Sequence, residues 1–255
     1  MNRRTPFLMF FVFLVCSGEI AAQANALGVM PFKLNFQVFE RTRKNLLTGI
    51  TPINLSGSSR DNNYQEIYFE PARKALFDQI EEQDWLSGIA VISIDDLEPD
   101  GRRKEGELYR ISAGNAMAYA TSNGGRRRRQ LEMMPYQVRP DLTNPFADLL
   151  DRNYLVFFSA AGAHYYNKSQ ADEPLPDEAR GLFNYTAWVV NGNTGEFVLA
   201  VSSLGSSPKK AGIFYTSVIP EGKQPNKINE RNIESAARSL LNNLERALKQ
   251  VDLIE

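Results

Sequence analysis

Residues 185–202, YTAWVVNGNTGEFVLAVS, decide the fold class of this chain. Residues 185–190 and 196–202 are rich in β-branched and aromatic side chains, which favour strands. Between them, residues 191–195 (NGNTG) have the composition and length of a loop that closes a β-hairpin. The segment therefore predicts two adjacent antiparallel strands.

Upstream segments predict further strands of the same sheet. Residues 154–161 (YLVFFSAA) and 89–94 (IAVISI) are continuous apolar runs, which are typical of strands buried on both faces. Residues 27–39 predict an opening strand, because apolar and polar side chains alternate in its second half. Residues 131–138 predict one more strand, whereas the polar stretch 41–63 predicts a loop.

Two segments predict amphipathic helices. Residues 66–86 carry apolar side chains at helical spacing, with Pro71 suited to the first helical turn. Residues 229–251 have apolar side chains at steps of three and four, so one face is predicted to dock on a sheet. This stripe consists of Ile233, Ala237, Leu240, Leu244, Ala247 and Val251. Residues 107–121 predict a strand and then a short helix, and 140–151 predict a turn with a short helix at 146–150.

Helices that alternate with buried strands are typical of α/β proteins. We therefore expect an α/β fold in which amphipathic helices pack on a mixed sheet, with an α+β fold as the alternative. Residues 25–255 are within the size range of a single domain.

The order of these elements resembles the periplasmic α/β domains of accessory lipoproteins that activate penicillin-binding proteins and of curli-secretion proteins. Residues 185–191 (YTAWVVN) and 194–196 (TGE) carry the resemblance, as that group's strand, turn, Thr-Gly-Glu and strand, followed by a helix like 229–251. The chain departs from the group at the lipoprotein cleavage pattern and at an asparagine where aspartate is commoner. The resemblance implies a non-enzymatic role, either in binding a partner protein or in assembly at the envelope.

Residues 1–24 have the pattern of a cleavable signal peptide. Two arginines precede the apolar run 7–15, and Ala22-Gln23-Ala24 supplies the small residues that a signal peptidase recognises. A run of this length is too short to span a bilayer, which needs about 20 helical residues. We therefore expect a periplasmic or secreted bacterial protein without a transmembrane span in the mature chain. An outer-membrane lipoprotein anchored through Cys16 is the weaker alternative, because the preceding Val15 is bulky for that cleavage site.

Composition restricts the chemistry further. Cys16 is the only cysteine, so the mature chain can form neither a disulfide nor a cysteine-ligated metal site. Removal of Arg3, Arg4 and Glu19 with the signal takes the formal net charge from -1 to about -2, which argues against wholesale nucleic-acid binding. The acidic turn 95–101 (DDLEPDG) lacks the spacing of an EF-hand. We find no cofactor motif and expect neither a metal nor a cofactor.

His164 is the only histidine and therefore the one candidate of its type for a catalytic base. A hydrolase would pair it with Ser159 or another serine and with an acid such as Asp172 or Asp177, since a serine hydroxyl needs a base to become a nucleophile. The sequence contains no Gly-x-Ser-x-Gly elbow. We assign no catalytic residue, and a periplasmic serine/histidine hydrolase using His164 stays an alternative.

A run of four arginines is the most unusual surface feature: Arg126, Arg127, Arg128 and Arg129. The basic cluster 102–104 would converge on this run if residues 107–121 formed an out-and-back excursion. Such a patch can hold phosphate or carboxylate groups through forked guanidinium contacts. The arginines are thus the predicted binding residues of an alternative function, an anion-binding module for a glycan or a lipid headgroup. The first expectation is a non-enzymatic envelope accessory protein that binds an envelope protein.

Overall fold

The computed structural model describes residues 26–40, 60–122, 137–166, 181–203 and 228–254. Within these ranges lie six strands and four α-helices. The strands are β1 Leu27–Val29, β2 Lys33–Glu40, β3 Ala90–Val91, β4 Tyr154–Tyr166, β5 Gly181–Asn191 and β6 Phe197–Ser202. The helices are α1 Arg60–Glu81, α2 Pro99–Ser122, α3 Pro140–Leu150 and α4 Glu230–Gln250.

The strands form one mixed sheet in the order β3-β1-β4-β5-β6. Strands β1 and β2 both pair in parallel with β4, with Leu27 opposite Tyr154 and Lys33 opposite Ser159. They therefore act as one interrupted strand along the same edge of β4. Strand β3 runs parallel to β1, whereas β5 is antiparallel to both β4 and β6. The expected mixed sheet is confirmed.

Helices pack on both faces of this sheet. Helices α1 and α4 share one apolar core with sheet residues that include Leu34, Val156 and Tyr185. Helices α2 and α3 share the other core with Phe157 and Trp188. We refer to these two sides of the sheet as the α1/α4 face and the α2/α3 face. The expected α/β class is confirmed as a three-layer arrangement.

The hairpin and the last helix follow the local sequence closely. The Asn191 side-chain Oδ1 accepts hydrogen bonds from the backbone N–H groups of Asn193 and Thr194, at 2.9 and 3.0 Å. Gly195 then adopts a φ of 70°, which favours glycine. Asn229 caps α4 by accepting a 3.0 Å hydrogen bond from the backbone N–H of Asn232. Both elements are confirmed.

Most of the predicted apolar stripe of α4 is buried. Ile233, Ala237, Leu240 and Leu244 lie in the core, and Ala247 is partly buried against it. Val251 follows the helix and is 41% exposed, so the stripe ends before the predicted last position.

Residues 107–121 are not a strand and a short helix. They belong to α2, a single helix of 24 residues. Its buried positions include Glu105, Leu108, Ser112 and Ala116, at helical steps of three and four. Because two of these four side chains are polar, the apolar residues of this segment do not recur clearly at helical spacing. The alternation of Tyr109 and Ile111 with polar residues therefore wrongly suggested a strand.

Two further helix predictions were wrong in their boundaries. Helix α1 begins at Arg60, so Pro71 lies in the helix interior and not in the first turn. The helix extends because Tyr64 and Tyr68 stack on Phe36 of β2. Helix α3 occupies the whole of Pro140–Leu150, where a turn was expected at the start.

The strand predicted at 89–94 is only two residues long and is not buried on both faces. Val91 is 46% exposed, because β3 is the edge strand of the sheet. Ser93 caps a 3-10 turn, Ile94–Asp96, through a capping box with Asp96, and this turn ends the strand. Of the strand predicted at 131–138, residues 131–136 lie outside the described residues, and Gln137 forms an isolated antiparallel bridge with Glu196.

Candidate functional site

The α2/α3 face of the sheet changes from apolar to polar along its strands. Directly opposed residues of neighbouring strands share a face. Phe157 lies opposite Trp188, and both belong to the apolar core of this face. Two residues further along β4, the cross-strand row consists of Lys33, Ser159, Thr186 and Ser202. The next row on the same face contains Asn35, Ala161 and Asn184. We call these two rows the polar rungs.

The opposite face shows no such change where the structure describes it. The corresponding rows there contain Leu34, Ala160 and Tyr185, and then Phe36, Gly162 and Phe183. The hydroxyl of Tyr185 is satisfied, because it donates a 2.8 Å hydrogen bond to the backbone carbonyl of Ala72 in α1. The polar rungs are therefore a property of one face and not of the end of the sheet.

A buried ion pair lies beside the polar rungs. Lys33 Nζ is 2.8 Å from Glu105 Oε2, and the side chains are 32% and 1% exposed respectively. The same ammonium lies 4.8 Å from the centroid of the Tyr109 ring, which in turn is 5.4 Å from the ring of Trp188. A buried carboxylate is costly unless it is paired. The buried carboxylate is that of Glu105 in α2, and the ammonium group of Lys33 in β2 is its counter-charge.

Several buried polar atoms of α2 and of the α2/α3 face lack a hydrogen-bond partner among the described residues. They are Glu105 Oε1, Trp188 Nε1, Thr186 Oγ1, Asn184 Nδ2 and Asn115 Nδ2. The Asn184 amide is satisfied on its other side, where Oδ1 accepts from the Ser203 hydroxyl. Buried polar groups in native proteins are nearly always paired with protein, water or a ligand. Each of these atoms belongs to α2 or to the sheet face on which α2 packs, and each is closed off from solvent. The polar rungs are therefore a candidate surface only at their exposed and half-buried members, such as Asn35 and Ser159.

A second candidate surface is the β3 edge, which we define as Val91 and Ile94. Among the described strands, β3 pairs with β1 alone, and the Ile92 N–H donates to the Val29 carbonyl. Because successive residues of a strand direct their main-chain groups to opposite sides, the N–H and C=O of Val91 are directed away from β1. Val91 and Ile94 are large apolar residues with exposures of 46% and 39%. The edge thus offers both main-chain groups and apolar side chains.

The structure does not bring Ser159 and His164 together as a catalytic pair. Both residues lie on β4, whose pairing with β5 is regular from Tyr154 to His164. Five residues of extended strand separate their backbones by about 16 Å, so the strand does not make the two residues neighbours. The candidate acids Asp172 and Asp177 lie outside the described residues.

The predicted convergence of the two basic clusters rested on a wrong premise. Because α2 is one continuous helix, its end at Ser122 lies about 28 Å from Arg103. Arg103 and Lys104 are also engaged locally, at 2.8 and 2.9 Å from the carboxylate of Asp100. These two cations hold the pKa of that carboxyl below its usual value. The predicted binding residues Arg126, Arg127, Arg128 and Arg129 lie outside the described residues, and their role stays a prediction.

Neither a metal centre nor a membrane span is found in the described parts of the chain. No group of three histidine, cysteine, aspartate or glutamate residues there could hold a metal ion. The described helices include none with the length and apolar character that crossing a bilayer requires. The acidic stretch 95–101 is divided between the 3-10 turn after β3 and the first turn of α2, where Asp100 pairs with basic side chains.

Comparisons with protein-family models, with curated proteins and with solved structures find no match to this chain.

Sequence reasoning missed the polar rungs and the Lys33–Glu105 pair. The two partners are separated by 72 positions, and Glu105 is in a segment without a clear apolar period. One signal was available in the sequence. Because alternate residues of a strand point to the same face, Asn184 and Thr186 had to share the face of Trp188, which is a core residue.

Proposed function

We propose that this chain is an exported, non-enzymatic accessory protein of the bacterial envelope, which binds a partner protein through the β3 edge. The observation that carries the proposal is the exposure of Val91 on a strand that is paired on one side in the described sheet, and of Ile94 in the 3-10 turn that follows it. Exposed strand edges are sites at which an extended segment of another chain adds to a sheet. Apolar side chains beside such an edge supply the contact area that main-chain hydrogen bonds alone lack.

The sequence supports the compartment. A basic start, a short apolar run and Ala22-Gln23-Ala24 form a signal-peptide pattern. The resemblance to periplasmic accessory proteins supports the same assignment, since residues 185–191 lie in β5 and 194–196 lead from the hairpin turn into β6, and α4 is the next described element after β6. That group implies a role through binding and not through catalysis.

The side chains of the polar rungs also fit recognition better than acid–base chemistry. Apart from the methyl group of Ala161, they are hydroxyls and amides together with one lysine, which is already paired with Glu105. Hydroxyl and amide groups do not titrate near neutral pH, so they orient and bind without exchanging protons. The hydrolase alternative loses Ser159 as its serine, because the backbones of Ser159 and His164 are too far apart on β4.

Two measurements test the proposal. N-terminal sequencing of exported protein should find Asn25 as the first residue, whereas a diacylglycerol-modified Cys16 would contradict the soluble location. A photo-crosslinking residue at Val91 should give one discrete adduct in intact cells. The matched control is the same residue at Leu149, which is apolar and 60% exposed on α3. Equal adducts at both positions, or none at Val91, would refute binding at the β3 edge.

A further inference from the structure

We infer that the partner segment that binds at the β3 edge is basic, with lysine or arginine side chains on both sides of an apolar residue. This inference rests on the proposed function, because it gives the chemistry of the segment that would add to β3. The charge around the edge carries it. Residues 81–98, which contain β3 and the turns before and after it, include six acidic residues and no basic residue.

The main chain of the β3 edge can hold only a short segment. Val91 directs its N–H and C=O away from β1, but the N–H groups two residues away on either side are already bonded. Ile89 N–H donates to the Leu86 carbonyl at 3.0 Å, and Ser93 N–H donates to the Asp96 carboxylate at 2.9 Å. So few main-chain hydrogen bonds give little affinity and do not distinguish one sequence from another. Side chains beside the edge must therefore decide which segment binds.

Acidic side chains lie in both turns that flank β3. Asp84 begins the 3-10 turn that ends at Leu86, and Asp95 lies in the 3-10 turn that follows β3. We call Asp84 and Asp95 the acidic border. Both residues are exposed, and neither carboxylate forms a salt bridge among the described residues. The acidic border thus places negative charge before and after the edge, and the described chain does not neutralise it.

The acidic border is close enough to the edge to act on an added strand. Asp95 follows Val91 by four residues, so their Cα atoms are at most about 14 Å apart. A segment paired at Val91 extends past it by about 3.3 Å per residue, so the long side chains that flank the pairing point approach the border. Lysine or arginine there gains a counter-charge, whereas aspartate or glutamate is repelled. The exposed side chains of Val91 and Ile94 favour an apolar residue at the centre of the segment.

Peptide titration tests the charge of the segment directly. We would add the peptide Arg-Arg-Val-Thr-Val-Arg-Arg to the isotope-labelled mature chain and follow the Val91 amide resonance by NMR. Peptides in which every arginine is replaced by glutamine or by glutamate are the comparisons. We expect saturable shifts with the arginine peptide, weaker binding of the glutamine peptide and no binding of the glutamate peptide. Added salt should weaken binding of the arginine peptide, because screening reduces the attraction between exposed charges.

Asp84→Asn/Asp95→Asn removes the charge of the acidic border and keeps the size of the side chains. Its affinity for the arginine peptide should be about three- to tenfold lower than that of the wild type. The matched control, Glu230→Gln/Glu234→Gln, removes two exposed carboxylates from α4, which packs on β5 and β6 away from β3. Its affinity should be unchanged. The photo-crosslinked adduct at Val91 should weaken in the first double variant and not in the control.

The outcomes separate this inference from the proposed function. Equal binding of the arginine and glutamine peptides, or full affinity and a full adduct in Asp84→Asn/Asp95→Asn, would leave the edge as a binding site and refute a basic partner. If none of the peptides binds, the adduct decides, because a partner attracted by charge must be lost from the first double variant. Absence of both peptide binding and the adduct would refute the β3 edge itself. An adduct of twice the mass of the chain would identify a second copy as the occupant and overturn a separate basic partner.

Discussion

The ring of Phe36 covers the backbone of Gly162 so closely that a side chain at this glycine would overlap the ring. The two residues are register partners in β2 and β4. On its other side Phe36 stacks with Tyr64 and Tyr68 of α1, with ring centroids 5.4 and 4.9 Å away. The missing side chain at Gly162 thus lets an aromatic layer join the sheet to α1.

Gly162→Ala should destabilise the protein. The new methyl group would force Phe36 out of its stack, and overpacking of this kind costs about 1–3 kcal/mol in free energy of unfolding. Urea denaturation of wild type and variant measures the difference. A variant as stable as the wild type would show that the ring can move without loss.

Gly114→Ala is expected to have the opposite sign. Gly114 is exposed on α2, and no atom lies within 4 Å of a Cβ built there. Alanine is a better helix former than glycine, so we expect a gain of about 0.5–1 kcal/mol. The same denaturation series measures it, and a loss of stability would argue against the continuous helix.

Leu240→Asp should be strongly destabilising, because Leu240 is fully buried between α4 and the sheet. An unpaired carboxylate at this position should lower the free energy of unfolding by about 3–5 kcal/mol. Asn242→Asp adds the same charge at an exposed position of the same helix and should change stability by less than about 0.5 kcal/mol. Thermal melts that coincide for the two variants would show that this face of α4 is not a core face.

These elements also show what the sequence can and cannot predict. The β5–β6 hairpin, β4 and α4 were predicted correctly in kind, because turn residues, a continuous apolar run and a repeated three-to-four spacing are local signals. Helix α2 was missed because it buries Glu105 and Ser112 where a helix normally buries apolar residues.

The candidate site depends on information that is not local. The polar rungs exist only because the register places Lys33, Ser159 and Thr186 in one row, and register is fixed by pairing across three strands. Read alone, Lys33 and Asn35 are the solvent-facing positions of an alternating strand. The buried partner of Lys33 becomes visible only when α2 is placed on the sheet.

Lys33→Met should destabilise the fold by about 1–3 kcal/mol, because it leaves the buried carboxylate of Glu105 without its counter-charge. The expected loss of stability is smaller than is usual for a fully buried ion pair, because Lys33 is about one-third exposed and solvent screens its charge. The double variant Lys33→Met/Glu105→Leu removes both charges and should recover most of the loss. A double variant that is less stable than Lys33→Met alone would contradict a simple pairing role.

Tyr185→Phe tests the hydrogen bond that joins α1 to the sheet, and its effect on stability should depend on pH. Loss of the 2.8 Å hydrogen bond to the Ala72 carbonyl should lower the free energy of unfolding by about 0.5–1.5 kcal/mol at neutral pH.

Burial raises the pKa of Tyr185 above its ordinary value of about 10. The folded state therefore holds the phenol proton more tightly than the unfolded state. The stability that depends on this proton is fully present below pH of about 10 and is lost as the pH rises towards the raised pKa. Phenylalanine cannot ionise, so the advantage of the wild type over the variant should shrink between pH of about 9.5 and 11. Urea denaturation of both proteins across this range measures it, and a constant difference would mean that Tyr185 ionises as readily in the folded protein as in the unfolded chain.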